Sequence, residues 1–191
     1  MRPRKSGAEL QEALLRVTCI ICNVTGVMTK REVTLAADGS RVMTFCSADA
    51  PRIKMAHILD IKVIMVSGRD DPANHHRAKD LDVPFICKKD PKIQAAGGLW
   101  PYLKKNHHVS PQDVCYIEDD AIGLRDMADA GLAVTATPKD GMQDCLSEGQ
   151  KPEDVVDMVT DALGGHGVVS EVIRRILMAQ DKWEIALDIF R

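Results

Sequence analysis

Val17-Thr18-Cys19-Ile20-Ile21-Cys22-Asn23-Val24-Thr25-Gly26-Val27-Met28-Thr29 is an apolar run that closes on a short polar residue, one spacer, a second polar residue and a glycine. A continuous run of this kind reads as a strand buried on both faces, as in a parallel sheet. The glycine marks a tight loop at its end. In an open α/β sheet, ligands bind just past the carboxyl ends of the strands. Asn23 and Thr25 therefore stand where chemistry would be done.

Working outward, residues 8–16 form a short amphipathic lead-in and 17–24 the first strand. Residues 33–45 are two β-rich runs about Asp38-Gly39, a strong hairpin signal. Such a hairpin is not needed to build the sheet and should project as a flap or an assembly surface. Residues 49–60 predict a helix with Ile53, Met55, Ala56, Ile58 and Leu59 as its apolar positions. A second strand, 62–66, ends at Ser67-Gly68-Arg69, and a helix carrying Ala78 and Leu81 begins near Asp71-Pro72. Residues 84–87 are a third strand. Residues 91–106 look helical, with Gly97, Gly98 and Pro101 expected to break or kink them. Val114–Ile117 is a fourth strand, ending in Glu118-Asp119-Asp120. A helix then runs to Ala130, followed by Gly131 and a fifth strand over 132–136.

Residues 137–152 read as a polar loop. Residues 155–163 fit a helix by period, while their β-branched content leaves a strand open. Gly164-Gly165-His166-Gly167 marks a turn. Val169, Val172, Ile173, Ile176, Leu177 and Gln180 give a helical stripe towards the C-terminus. Strands alternating with helices predict right-handed crossovers and a doubly wound parallel sheet covered on both faces. Residues 1–191 read as one α/β domain, with a core over about 15–163 and a helical tail over about 167–190.

The net charge of −3 gives no electrostatic case for nucleic acid. Lys88-Lys89 and Lys104-Lys105 read as solvated faces. No apolar run approaches the ~20 residues that cross a bilayer. The basic start is followed by Glu9, Gln11, Glu12 and Arg16, which interrupt any signal-like core. A cytoplasmic protein is expected. Cys19, Cys22, Cys87 and Cys115 fall in predicted strands, as small buried hydrophobes. Cys19 and Cys22 have the spacing of a redox or zinc pair, but they lie inside a strand and no second pair follows. His75-His76 and His107-His108 lie in polar helix or loop regions and are given no metal role.

Four strand ends carry polar residues: Asn23 and Thr25, then Ser67, then Lys88-Lys89-x-x-Lys92, then Glu118-Asp119-Asp120. In this order and spacing they resemble the four motifs of the haloacid-dehalogenase (HAD) superfamily. The likeness is to its small capless branch, typified by the 3-deoxy-octulosonate 8-phosphate phosphatases. It covers about residues 15–185 and includes the hairpin after the first motif. Ser67-Gly68-Arg69 stands for the family's Thr-Gly-Arg, Lys92 for its third-motif lysine, and Asp119-Asp120 for its Gly-Asp-Asp. Gly164-Gly165-His166-Gly167-Val168-Val169-Ser170-Glu171 is similar to the family's Gly-Gly-Arg-Gly-Ala-Val-Arg-Glu.

The resemblance implies a HAD-like Rossmannoid sheet without a cap domain and with an inserted hairpin. It also implies phosphoryl chemistry on a sugar phosphate. In that chemistry a carboxylate attacks phosphorus, and Mg2+ offsets the repulsion between carboxylate and phosphate. A second aspartate serves as acid and base, and Ser/Thr and Lys groups hold the phosphate oxygens. Carried onto this chain, Ser67, Gly68 and Lys92 become phosphate ligands. Asp119 becomes the metal ligand, with Asn23, the Thr25 carbonyl and Asp120 beside it. His166 belongs with the tail and substrate. The family associates as a tetramer, and Val33, Leu35, Val42 and Phe45 of the hairpin are compatible with that.

The chain departs from the family pattern at its chemical groups. Asn23 replaces the nucleophile, and an amide forms no stable phosphoryl intermediate. Thr25 replaces the acid/base, and a hydroxyl is too weak an acid for that step at neutral pH. Glu118 stands for a glycine, Gly123 for a frequent aspartate, and Ala48, Ser170 and His166 for arginines. Two functions stay open. One is a phosphatase homologue with a degenerate first motif, weakly active or inactive yet binding Mg2+ and phosphate ligands. The other is a non-catalytic assembly module, resembling the phosphatase-like domain of animal CMP-sialate synthetases.

Overall fold

The computed structural model describes residues 5, 7–120, 123, 130–142 and 146–190. Helix α1 (Gly7–Leu15) leads into β1 (Cys19–Asn23), and a short antiparallel ribbon follows, β2 (Thr34–Leu35) with β3 (Arg41–Val42). Then come α2 (Asp49–Ile58), β4 (Lys62–Ser67), α3 (Pro72–Asp80) and β5 (Phe85–Cys87). Helices α4 (Pro91–Ala95) and α5 (Leu99–His107) precede β6 (Val114–Ile117), β7 (Val134–Thr137) and β8 (Met158–Val159). Helices α6 (Val168–Ala179) and α7 (Trp183–Ile189) close the described chain.

The main sheet is parallel, in the order β5-β4-β1-β6-β7-β8, so β1 sits between β4 and β6. Both faces are covered, because side chains alternate along each strand. Ile20, Cys22, Met65, Cys115 and Ile117 pack with Leu14 of α1, Ile53 of α2 and Val172, Ile173 and Ile176 of α6. Cys19, Ile21, Ile64 and Tyr116 pack on the other side with Ile93 of α4 and Leu103 of α5. The predicted doubly wound sheet is what the chain builds.

This alternation also settles the cysteines. Cys19 and Cys22 project to opposite faces, so they cannot converge on a metal or a disulfide. Burial pushes the Cys19 thiol up to about 12 and the Cys22 thiol higher still, which makes both inert hydrophobes.

Local chemistry sets the helix starts. Asp71 caps α3 by accepting the Ala73 N–H at 3.0 Å, with Pro72 in the first turn. Asp90 caps α4 through the Lys92 N–H at 2.8 Å. Gly97 and Gly98 separate α4 from α5 with φ of 86° and 117°. Pro101 does not break α5: it lies in the first turn, where no intrahelical N–H is missed.

Other expectations shift as well. Within 155–163 the chain makes the short strand β8, which extends the sheet beside β7 in place of a helix. Ile58 lies on the outer face of α2 and is 44 % exposed. The fifth strand is displaced to Val134–Thr137, with Leu132 and Ala133 buried just before it. The C-terminal stripe is real over α6, but the helix stops at Gln180, whose amide donates to the carbonyls of Leu14 and Val17 at 3.0 and 2.8 Å. The helix expected after Asp120 lies outside the described residues, apart from Gly123, which is helical.

The ribbon stands off the sheet as expected. Its turn is closed by the Ala36 N–H to the Ser40 carbonyl at 2.8 Å, and Gly39 adopts φ of 82°. Val33, Leu35 and Val42 are exposed, whereas Phe45 packs against the core and lies beneath the Arg77 guanidinium.

Candidate functional site

The parallel register brings the ends of β1, β4, β5 and β6 to one edge of the sheet. Asn23 lies opposite Val66, Cys22 opposite Ile117, and Ser67 opposite Cys87. Beyond them opens a cavity of about 340 Å³ lined by residues of all four strand ends, among them Asn23, Thr25, Ser67, Gly68, Lys88 and Asp119. Asp120 and Gly123 also line it. Six predicted site positions, Asn23, Thr25, Ser67, Gly68, Asp119 and Asp120, thus converge from separate points in the chain.

Asn23 is the hub. Its Nδ2 donates to the Thr25 carbonyl at 3.0 Å, to Glu118 Oε1 at 2.7 Å and to Asp119 Oδ1 at 3.1 Å. Asp119 is buried, and its other oxygen, Oδ2, accepts Arg31 Nε at 2.9 Å, while Arg31 Nη2 bonds the Asp119 carbonyl. Gly26 makes this approach possible. It has φ of 78°, and a Cβ there would stand 1.9 Å from Asp119 Oδ2.

Glu118 is buried beside Asp119, with Lys88 Nζ 3.3 Å from its Oε2 and the Asp119 N–H 3.2 Å from its Oε1. Burial pushes its carboxyl up to about 7; Lys88 opposes the rise and Asp119 adds to it.

Ser67 is buried, and its Oγ accepts the Arg69 N–H at 3.1 Å. A hydroxyl has one proton and two acceptor positions, so this contact leaves its proton to donate. Gly68 presents backbone to the cavity, with open space where a Cβ would be. Lys92 is placed elsewhere. It lies exposed on α4 and does not line the cavity, whereas Lys88, one residue past β5, does. His166 sits in a second cavity of about 460 Å³, between the ribbon and the Gly165-His166 turn, and Thr25 lines both cavities. That turn packs tightly on the first-motif loop: the Gly165 N–H bonds the Val27 carbonyl at 2.9 Å, and a Cβ on Gly164 would lie 2.3 Å from the Gly26 carbonyl oxygen.

Sequence spacing missed Arg31, for which no motif gave a signal, and it favoured Lys92 over Lys88. The place of Lys88, directly after the last residue of β5, was the available clue.

The oxygens suited to a hard cation here are the Asp119 carboxylate, the Thr25 carbonyl and the Asn23 side-chain carbonyl once its amide is turned over. They are all oxygen, with a single carboxyl group among them, which fits a weak Mg2+ site with water completing the shell. Among the described residues no group of three or more His, Cys, Asp or Glu is arranged to hold a metal.

No family model matches the chain. It is 31% identical over 176 residues to the 3-deoxy-D-manno-octulosonate 8-phosphate phosphatase of Haemophilus influenzae, covering 91% of this chain and 89% of that protein. It is 30% identical over 169 residues to the Yersinia pestis enzyme, covering 88% and 83%. Among solved structures, the cobalt-bound Haemophilus influenzae phosphatase superposes with a TM-score of 0.75 at 28% identity, covering 94% of this chain and 99% of that one. The Moraxella catarrhalis phosphatase, solved with magnesium, phosphate and KDO, shares the fold with a TM-score of 0.80 at 22% identity, covering 97% and 100%. The chain belongs to the HAD superfamily, within the family of the 3-deoxy-D-manno-octulosonate 8-phosphate phosphatases.

Proposed function

We propose that this chain binds the phosphoryl group of a sugar phosphate at the ends of β1, β4, β5 and β6 but has lost the covalent step of its family. The observation that carries this reading is the Asn23 side chain, whose nitrogen is bonded to three acceptors at the nucleophile's position. The lone pair of an amide nitrogen is delocalised into its carbonyl and is not available to attack phosphorus, and Thr25 supplies no proton at neutral pH. The groups that bind remain. Ser67, the Gly68 backbone, Lys88 and the neighbouring Lys89 face the same cavity and suit an anion. Mg2+, held by Asp119 with the Thr25 and Asn23 carbonyls, would supply charge neutralisation for that anion. By kinship the ligand is 3-deoxy-D-manno-octulosonate 8-phosphate or a related sugar phosphate.

Calorimetric titration of the full chain with phosphorylated and unphosphorylated sugars tests this. Saturable binding of the phosphorylated sugar alone, weakened about tenfold or more in Ser67→Ala and Lys88→Met, supports the reading. Equal binding of both sugars, or of neither, contradicts it.

A second reading is favoured by the ribbon. Val33, Leu35 and Val42 are each more than half exposed on one projecting element. Large apolar side chains clustered at the surface mark an interaction site, and a homotetramer formed through the ribbon would cover them. In that reading the chain serves assembly, like the phosphatase-like domain of CMP-sialate synthetases, and its strand-end cavity is a remnant.

A further inference from the structure

Asp119 has a cation already. Its carboxyl group is buried, and each oxygen has its own donor: Asn23 Nδ2 at 3.1 Å on Oδ1 and Arg31 Nε at 2.9 Å on Oδ2. Arg31 reaches back again to the Asp119 backbone carbonyl. Its guanidinium therefore grips one residue at two points, in the forked geometry that makes such pairs strong. Asp119 holds this position only because Gly26 lacks a Cβ, which would stand 1.9 Å from Asp119 Oδ2. The Arg31 side chain is 37 % exposed, so it can leave into solvent.

We infer that Arg31 is a built-in competitor for a divalent cation at Asp119. The inference rests on the reading of Asp119 as a cation-holding residue. A dication bound to the Asp119 carboxylate would stand within a few ångströms of the guanidinium, where two like charges repel strongly in a partly buried site. It also takes the lone pairs that Arg31 and Asn23 occupy. The ion enters only as Arg31 swings out and the Asn23 amide turns its oxygen inward. With Arg31 in place, Glu118 and Asp119 stay packed side by side without any bound metal, because Lys88 and Arg31 balance one each. The chain thus keeps its strand-end site assembled when metal is absent, at the cost of affinity when metal is present.

Mg2+ affinity of the full chain, measured by calorimetry at matched ionic strength and without any phosphate ester, tests this. The comparison is wild type against Arg31→Ala, Arg31→Lys and Arg31→Ala/Asp119→Asn. Arg31→Ala should bind Mg2+ about tenfold or more tightly than wild type. Arg31→Lys should fall between them, and the double variant should lose the gain. If Arg31→Ala does not fold, Arg31→Lys carries the comparison, since it keeps the charge but loses the fork. Unchanged or weaker Mg2+ binding without the Arg31 fork overturns the inference, as does a gain that survives Asp119→Asn. Because no sugar phosphate is present, failure of the proposed ligand reading leaves this result legible.

Discussion

The Glu118 carboxylate fills the space that a side chain at Gly123 would need: a Cβ on Gly123 would stand 2.3 Å from Glu118 Oε2 and 2.6 Å from its Cγ. The two departures from the family pattern therefore meet in space, and a side chain at position 123 would displace the one at 118. Gly123→Ala should push Glu118 off Lys88 and Asn23 and cost about 1–3 kcal/mol, the range for a disturbed buried polar network. Glu118→Gly with Gly123→Asp should recover a good part of what the single changes lose. Urea unfolding of wild type, Glu118→Gly, Gly123→Asp and the double variant gives the coupling directly, and simple additivity would refute the pairing.

Asn23→Asp exchanges a donor for a charge in a pocket of acceptors. The new carboxylate faces the Thr25 carbonyl, Glu118 and Asp119, all of which bond the Asn23 nitrogen now. In metal-free buffer the variant should lose about 2–4 kcal/mol. Mg2+ should restore much of that loss in the variant and change wild type little. Thermal melts in EDTA and in Mg2+ measure both differences. A variant as stable as wild type in EDTA would show that the amide is not the hub of the network.

Asp49 gives a pH signature of its own. It is buried at the start of α2, accepts the Ser170 N–H at 2.9 Å, and burial raises its carboxyl from 3.8 to about 6. Between these values the folded chain holds a proton that the unfolded chain has released. Its contribution to stability is therefore complete below pH 3.8 and is lost as pH rises through about 6. Asp49→Asn keeps an acceptor for Ser170 and removes the titration. Wild type minus variant should fall by about 2–3 kcal/mol from pH 4 to pH 7, followed by urea unfolding across that range. A flat difference would contradict the burial argument.

The sheet was legible because its strands are short apolar runs bounded by polar ends, and because helix starts such as Asp71-Pro72 and Asp90-Pro91 carry their own capping chemistry. Strand ends were legible for the same reason, so the sequence alone places Asn23, Ser67 and Asp119 together. Three kinds of feature were not. Residues 155–163 have no period strong enough to beat the pairing energy that the open edge of β7 offers. Pro101 reads as a breaker unless the register of the helix start is known. Lys88 and Arg31 owe their roles to geometry: one follows the end of β5 directly, and the other reaches across from a loop to Asp119. A spacing rule centred on Lys92 sees neither.

The most direct measurement of the central claim is phosphate release from 3-deoxy-D-manno-octulosonate 8-phosphate in Mg2+, with wild type beside Asn23→Asp and Asn23→Asp/Thr25→Asp. If Asn23 and Thr25 have silenced an otherwise intact site, wild type releases no phosphate above a metal-free control, and turnover appears in the double variant. Release by wild type above that control would contradict the claim and require a route to phosphorus that does not pass through residue 23.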